Sequence, residues 1–100
     1  VIAGNQAKSV YPENLVQDTS IAAQNIVLTA SSLGISTNIM SIYPQEKRME
    51  GIQSALQLPD TVVPYIMVSM GYAQEDTSSS GSAEKEDTDA MIHYNTWSEN

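Results

Sequence analysis

From Asp18 to Leu33 the chain reads DTSIAAQNIVLTASSL, and Ile21, Ala22, Ala23, Ile26, Val27, Leu28, Ala30 and Leu33 spread around most of the helical circumference. A surface helix shows one apolar stripe, so this distribution predicts a buried helix packed on several sides. Asp18 stands where an N-cap accepts the free amides of the first turn, and Gly34 supplies the left-handed residue just past Leu33. Ile35 to Tyr43 mixes Ile39, Met40, Ile42 and Tyr43 with Ser36, Thr37, Asn38 and Ser41, the content of a short strand or extended segment that Pro44 stops. Pro44 at N1 and Glu46 in the first turn then open a second helix. Its Met49, Ile52 and Leu56 form one stripe, while Lys47, Arg48, Glu50 and Gln53 face water, and Gly51 weakens it slightly.

After Leu58-Pro59-Asp60 comes a nearly unbroken apolar run from Thr61 to Tyr72, as expected of a strand covered on both faces. Pro64 has no N–H for a ladder and must sit near the start of that strand or on an edge. Residues 73 to 90 are rich in Ser, Asp and Glu and predict a mobile acidic loop. Met91, Ile92, His93, Tyr94 and Trp97 follow, too many large side chains for a free tail, so this segment is expected to dock on something. The opening Val1-Ile2-Ala3-Gly4 reads as the tail of an apolar strand with Gly4-Asn5 as the turn after it. With neither a basic leader nor an initiating Met, it predicts a chain that starts inside a longer fold.

Composition limits the chemistry. One hundred residues with 41% apolar content and no Phe support a single small domain with a modest core. The absence of Cys excludes disulfides, thiolate metal sites and Cys nucleophiles. A net charge of −8 with only 4 Lys and Arg argues against nucleic acid as a partner. Most of that charge is local: residues 74 to 89 hold six carboxylates against Lys85 alone, a net of −5. No apolar run reaches the roughly 20 residues that span a bilayer, so no membrane partner is expected and a cytoplasmic location is. His93 is the only His, which leaves a His-based triad or metal cluster without partners. The acidic stretch around Glu84 to Asp87 lacks the alternating ladder, central Gly and terminal Glu of a calcium loop. No metal site and no catalytic side chain are therefore expected. Asn25 is expected to be a core amide satisfied by backbone, and Met49, Met67 and Met70 to be core filler.

Four pieces in order carry a resemblance. QDTSIAAQNIVLTASSLGI is similar to the central buried helix of the FMN-dependent nitroreductase family, and YPQEKRMEGIQSALQLP to its short helix ending in Leu-Pro. VVPYIMVSMGY is similar to its last core strand, and IHYNTW to its C-terminal His-Tyr-x-x-Trp. The resemblance runs from about Val1 to Trp97 and implies an α+β fold, a nitroreductase-like mixed sheet with a central buried helix, of which this chain is the C-terminal half. It implies a homodimer that binds FMN at the interface, takes hydride from NAD(P)H and passes it to a small-molecule electron acceptor, a nitroaromatic, quinone or related compound, in a ping-pong cycle. The family's early Arg-x-Ser-x-Arg flavin contacts would precede Val1, which implies that residues 1 to 100 alone are inactive and prone to associate.

Carried over residue by residue, the resemblance makes Ile39, Met40 and Ser41 cofactor-binding candidates. Backbone amides there would meet the flavin ring and favour the negative charge of its reduced form. Many relatives carry Gly where this chain has Ser36 and Ser41. Glu86 stands at the position usual for a phosphate-contacting Arg, and the neighbouring Lys85 becomes the phosphate candidate, as a point charge rather than a bidentate fork. Ala73 replaces the Pro that usually follows Gly-Tyr. A rival reading from another class is a non-catalytic acidic assembly or binding module that keeps the fold without flavin.

Overall fold

The longest apolar run becomes the middle of the sheet. A computed structural model describes residues 1–74 and 88–97. In chain order the elements are β1 (Ile2–Asn5), a 3₁₀ turn (Pro12–Asn14), α1 (Leu15–Ser32), β2 (Ser36–Ser41), α2 (Glu46–Leu56), β3 (Val62–Gly71) and a second 3₁₀ turn (Thr88–Met91). Among the described residues the sheet has 3 strands in the order β1-β3-β2, antiparallel at both pairings, so there β3 is central and β1 and β2 are edges. The class is α+β as expected. Pro64 lies near the start of β3, where its missing N–H does no harm. The β2 pairing has ended at Ser41↔Ile66, and the β1 register shifts between Ile2 and Ala3, opposite Ile66 and Pro64.

Met67 lines a cleft with Arg48, Gly51 and Ile52 of α2, whereas Met70 lines another with Ile26, Thr29 and Ala30 of α1. Side chains three apart on a strand point to opposite faces, so at this end of the sheet the two helices cover opposite sides of β3. Coverage is complete only at Val63, Pro64 and Tyr65. Ser69, Met70 and Gly71 are exposed, so the expectation of a strand buried on both faces holds for its first half alone.

α1 differs from the buried helix of the sequence reading. It presses small residues, Thr19, Ala23 and Ala30, onto the sheet. Several large ones are left uncovered: Ile21, Leu28 and Leu33 are 63%, 60% and 66% exposed, whereas Leu15 packs against Gly4 of β1. Thr19 is the one buried polar residue described, and its hydroxyl is satisfied by the Leu15 and Val16 carbonyls at 2.7 and 3.1 Å. Asp18 is not the cap: the helix starts three residues earlier, after Asn14, and Asp18 lies in its first turn, where a carboxylate still complements the helix dipole. Gly34 does take the left-handed position, with φ 74°. Ile35 N donates to Ala30 O at 2.9 Å and Gly34 N to Ser31 O at 3.1 Å, the paired bonds of a Schellman stop. Asn25 is exposed rather than a core amide.

α2 begins at Glu46 with Gln45 as cap residue, so Pro44 precedes the helix instead of occupying N1. Leu56 leaves the expected apolar stripe at 51% exposure. Gln53 joins the buried side instead: it is half-buried, and its Nε2 donates to the Val62 carbonyl at 3.3 Å, tying α2 to the start of β3. A Cβ built at Gly51 meets nothing within 4 Å. Gly51→Ala is therefore expected to stabilise the chain by about 0.5–1 kcal/mol, read as a higher denaturation midpoint in urea.

Residues 75–87, the bulk of the expected acidic loop, lie outside the described residues, and 88–90 belong to the second 3₁₀ turn. In the terminal segment the His93 ring stacks on Trp97 with centroids 4.1 Å apart, while Met91, Tyr94 and Trp97 remain largely exposed.

Candidate functional site at the open edge of the sheet

Among the described residues β2 has a neighbour on one side only, so half of its backbone groups face away from the sheet. Which half follows from the register. Ile42 N donates to Tyr65 O at 2.9 Å, just beyond the last ladder pair. In an antiparallel ladder the pairs that exchange hydrogen bonds alternate with pairs that do not. Counting back along the register, Met40↔Met67 and Asn38↔Ser69 are bonded pairs, and Ile39↔Val68 and Ser41↔Ile66 are the open ones. The N–H and C=O of Ile39 and Ser41 therefore point to the free edge. An independent contact agrees: Arg48 Nη1 reaches the Ser41 carbonyl from outside the sheet at 2.9 Å.

The three candidates on β2 thus divide. Ile39, 45% exposed, and Ser41 each offer a free amide. The Met40 amide belongs to the ladder. Its side chain contributes instead to a cleft of about 380 Å3 between the sheet and α2, lined by Met40, Ser41, Ile42, Lys47, Arg48, Gly51, Ile52 and Met67. Lys85, the phosphate candidate, lies outside the described residues. Sequence reading missed Arg48, which it assigned to a solvated face. The signal was present in the spacing: Pro44 turns the chain directly after β2, so the first turn of the next helix folds back on the end of the strand it has just left. Among the described residues no group of three or more His, Cys, Asp and Glu is placed to hold a metal ion. None of their helices is long and apolar enough to cross a membrane.

A family model described as the Nitroreductase family matches residues 3–72. The chain belongs to the nitroreductase family. A protein from Methanothermobacter thermautotrophicus, named for NADH dehydrogenase or NAD(P)H nitroreductase activity, is 40% identical over 97 residues, which are 97% of this chain and 49% of that protein. An Archaeoglobus fulgidus protein of the same name is 33% identical over 98 residues and 56% of its length. This nitroreductase chain therefore spans about half the length of the curated relatives it matches. Among solved structures, a Bacteroides thetaiotaomicron protein of the same name superposes with a TM-score of 0.76 at 32% identity, over 95% of this chain and 52% of that one. An FMN-dependent nitroreductase from Clostridium difficile R20291 has the same fold, with a TM-score of 0.77 at 22% identity over 97% of this chain and 56% of that one. The resemblance seen in the four sequence pieces is thus a family relationship.

Proposed function

We propose that this nitroreductase-family chain supplies one wall of the flavin site in an FMN-dependent oxidoreductase. The donor would be NAD(P)H, and the acceptor a nitroaromatic, quinone or related small molecule reduced in a ping-pong cycle. The observation that carries this reading is the pair of free amides at Ile39 and Ser41 on the edge of β2. Two N–H groups on one side of an extended strand suit the hydrogen-bond acceptors along the edge of a flavin ring, so the residues present fit the group. When bound, FMN would supply the hydride-accepting and hydride-donating centre.

The chain's own residues have simpler tasks. The Ile39 and Ser41 amides, fixed by the ladder before any ligand arrives, donate to the ring edge and favour negative charge there. Arg48 holds the Ser41 peptide by its carbonyl and adds positive charge nearby. Met40 packs from the cleft side, and Lys85 serves the phosphate. The names of the relatives support the nicotinamide donor and the nitroreductase activity. The exposed Ile21, Leu28 and Leu33 of α1 and the exposed Met91 and Trp97 support a homodimer in which a second copy covers them. A cytoplasmic location completes the reading, and the isolated 100 residues are expected to lack reductase activity because about half of a typical relative is not represented in them.

The test is to purify the full protein, record flavin absorbance and titrate FMN by fluorescence quenching. Bound flavin with NAD(P)H-dependent nitroarene reduction is the expected result. Colourless protein that dimerises and does not quench FMN would favour the assembly-module reading instead. Lys85→Ala is expected to weaken FMN by about 1.5–3 kcal/mol, the range of a charge-assisted hydrogen bond. Unchanged affinity would remove Lys85 from the site.

A further inference from the structure

We infer that the cleft between α2 and the sheet binds aromatic carboxylates, and that the acceptor this protein reduces is an anionic aromatic compound. The second half rests on the flavin reading above, and the first does not. The cleft measures about 380 Å3, the size of a small-ligand site, and its floor is apolar: Met40, Ile42, Ile52 and Met67. Lys47 and Arg48 line the same cleft. These are two of only 4 cationic side chains in a chain of net charge −8, so positive charge is concentrated beside this apolar surface. Among the described residues neither has an ion-pair partner, and Arg48 uses one donor on the Ser41 carbonyl.

The acidic residues of α2 do not oppose this. Lys47, Arg48, Gly51 and Ile52 form one stripe, while Glu46 and Glu50 sit roughly 170° and 130° around the helix from its centre at 100° per residue. Gly51 leaves the middle of that stripe open, since a side chain there would project from between the two cations and the apolar floor. A flat apolar body with a carboxylate at one end matches both parts. Inorganic phosphate would use the cations without the floor, and a neutral arene the floor without the cations. Ser41 and Met40 line the cleft and belong to the strand whose outer edge carries the free amides, so a compound held here lies against the same strand as the proposed cofactor.

The experiment measures equilibrium dialysis of 4-nitrobenzoate and its neutral isostere 4-nitrobenzamide on the full protein, without nicotinamide donor. Flavin content is recorded separately, so failure here and failure of the flavin reading are distinguishable. The expected result is a preference of about tenfold for the acid at low ionic strength, falling as salt is added. It should drop below threefold in Lys47→Met and survive in the remote control Lys8→Met. Gly51→Leu should weaken acid and amide alike. Equal binding of acid and amide would overturn the inference, as would a preference that survives in Lys47→Met or disappears in Lys8→Met. So would inorganic phosphate that displaces 4-nitrobenzoate as effectively as the unlabelled acid does, because the apolar floor would then contribute nothing.

Discussion

Tyr65→Ala is expected to remove about 3–5 kcal/mol of stability, the range for deleting a buried aromatic ring, and so to leave little of a small domain's total. The ring is 4% exposed and lies 5.0 Å from that of Tyr43. A Cβ built at Gly4 would come within 3.2 Å of it, so β1 closes directly over the ring. Its hydroxyl accepts a hydrogen bond from Gln6 Nε2 at 3.2 Å. The ring therefore joins the loop after β1, the middle of β3 and the end of β2. Tyr65→Phe keeps that packing and loses one hydrogen bond, so it should cost only about 0.5–1.5 kcal/mol. Urea titrations of both variants check this, and near-equal losses would mean that the hydroxyl, not the ring, organises the junction.

Proline placed at neighbouring positions of β2 is expected to separate folding from cofactor binding. Met40→Pro removes an N–H that the register commits to Met67, and should destabilise on the order of 3 kcal/mol, by analogy with proline inside a helix. Ile39→Pro removes an N–H that points to the open edge, where proline is tolerated. The fold should survive it, while FMN affinity falls by about 1.5–3 kcal/mol, the worth of a hydrogen bond to a charged group. Circular dichroism melts and FMN titrations read the two effects independently. Full FMN affinity in a folded Ile39→Pro protein would show that the edge amides do not hold the ring.

The elements were legible because their punctuation is strong. Gly34 ends α1 where a left-handed residue is needed, and Pro44 stops the strand before it and allows the next helix to follow. The apolar run from Val62 was legible as a strand covered on both faces, but its place between β1 and β2 was not. Caps were less legible: Asp18 is a good capping residue in a place where Leu15, Val16 and Gln17 already extend the helix, and propensity does not decide which of several starts is used. Which β2 amides are free could not be read at all, since it depends on the parity of pairing with a strand more than twenty positions away. Arg48 escaped for a different reason: an exposed cation on a polar helix face reads as solvation unless the turn at Pro44 is weighed with it.

In the proposed homodimer, the arrangement of α1, with small residues buried on its own sheet and several large ones exposed, ties folding to mass action. Thr19, Ala23 and Ala30 bring the helix close to the strands but bury little area, while Ile21, Leu28 and Leu33 hold their larger apolar surface in reserve. That reserve would be released when a second copy arrives. The melting temperature should then climb as the protein is concentrated and sag on dilution, so that the amount of protein present becomes one of the determinants of its own stability.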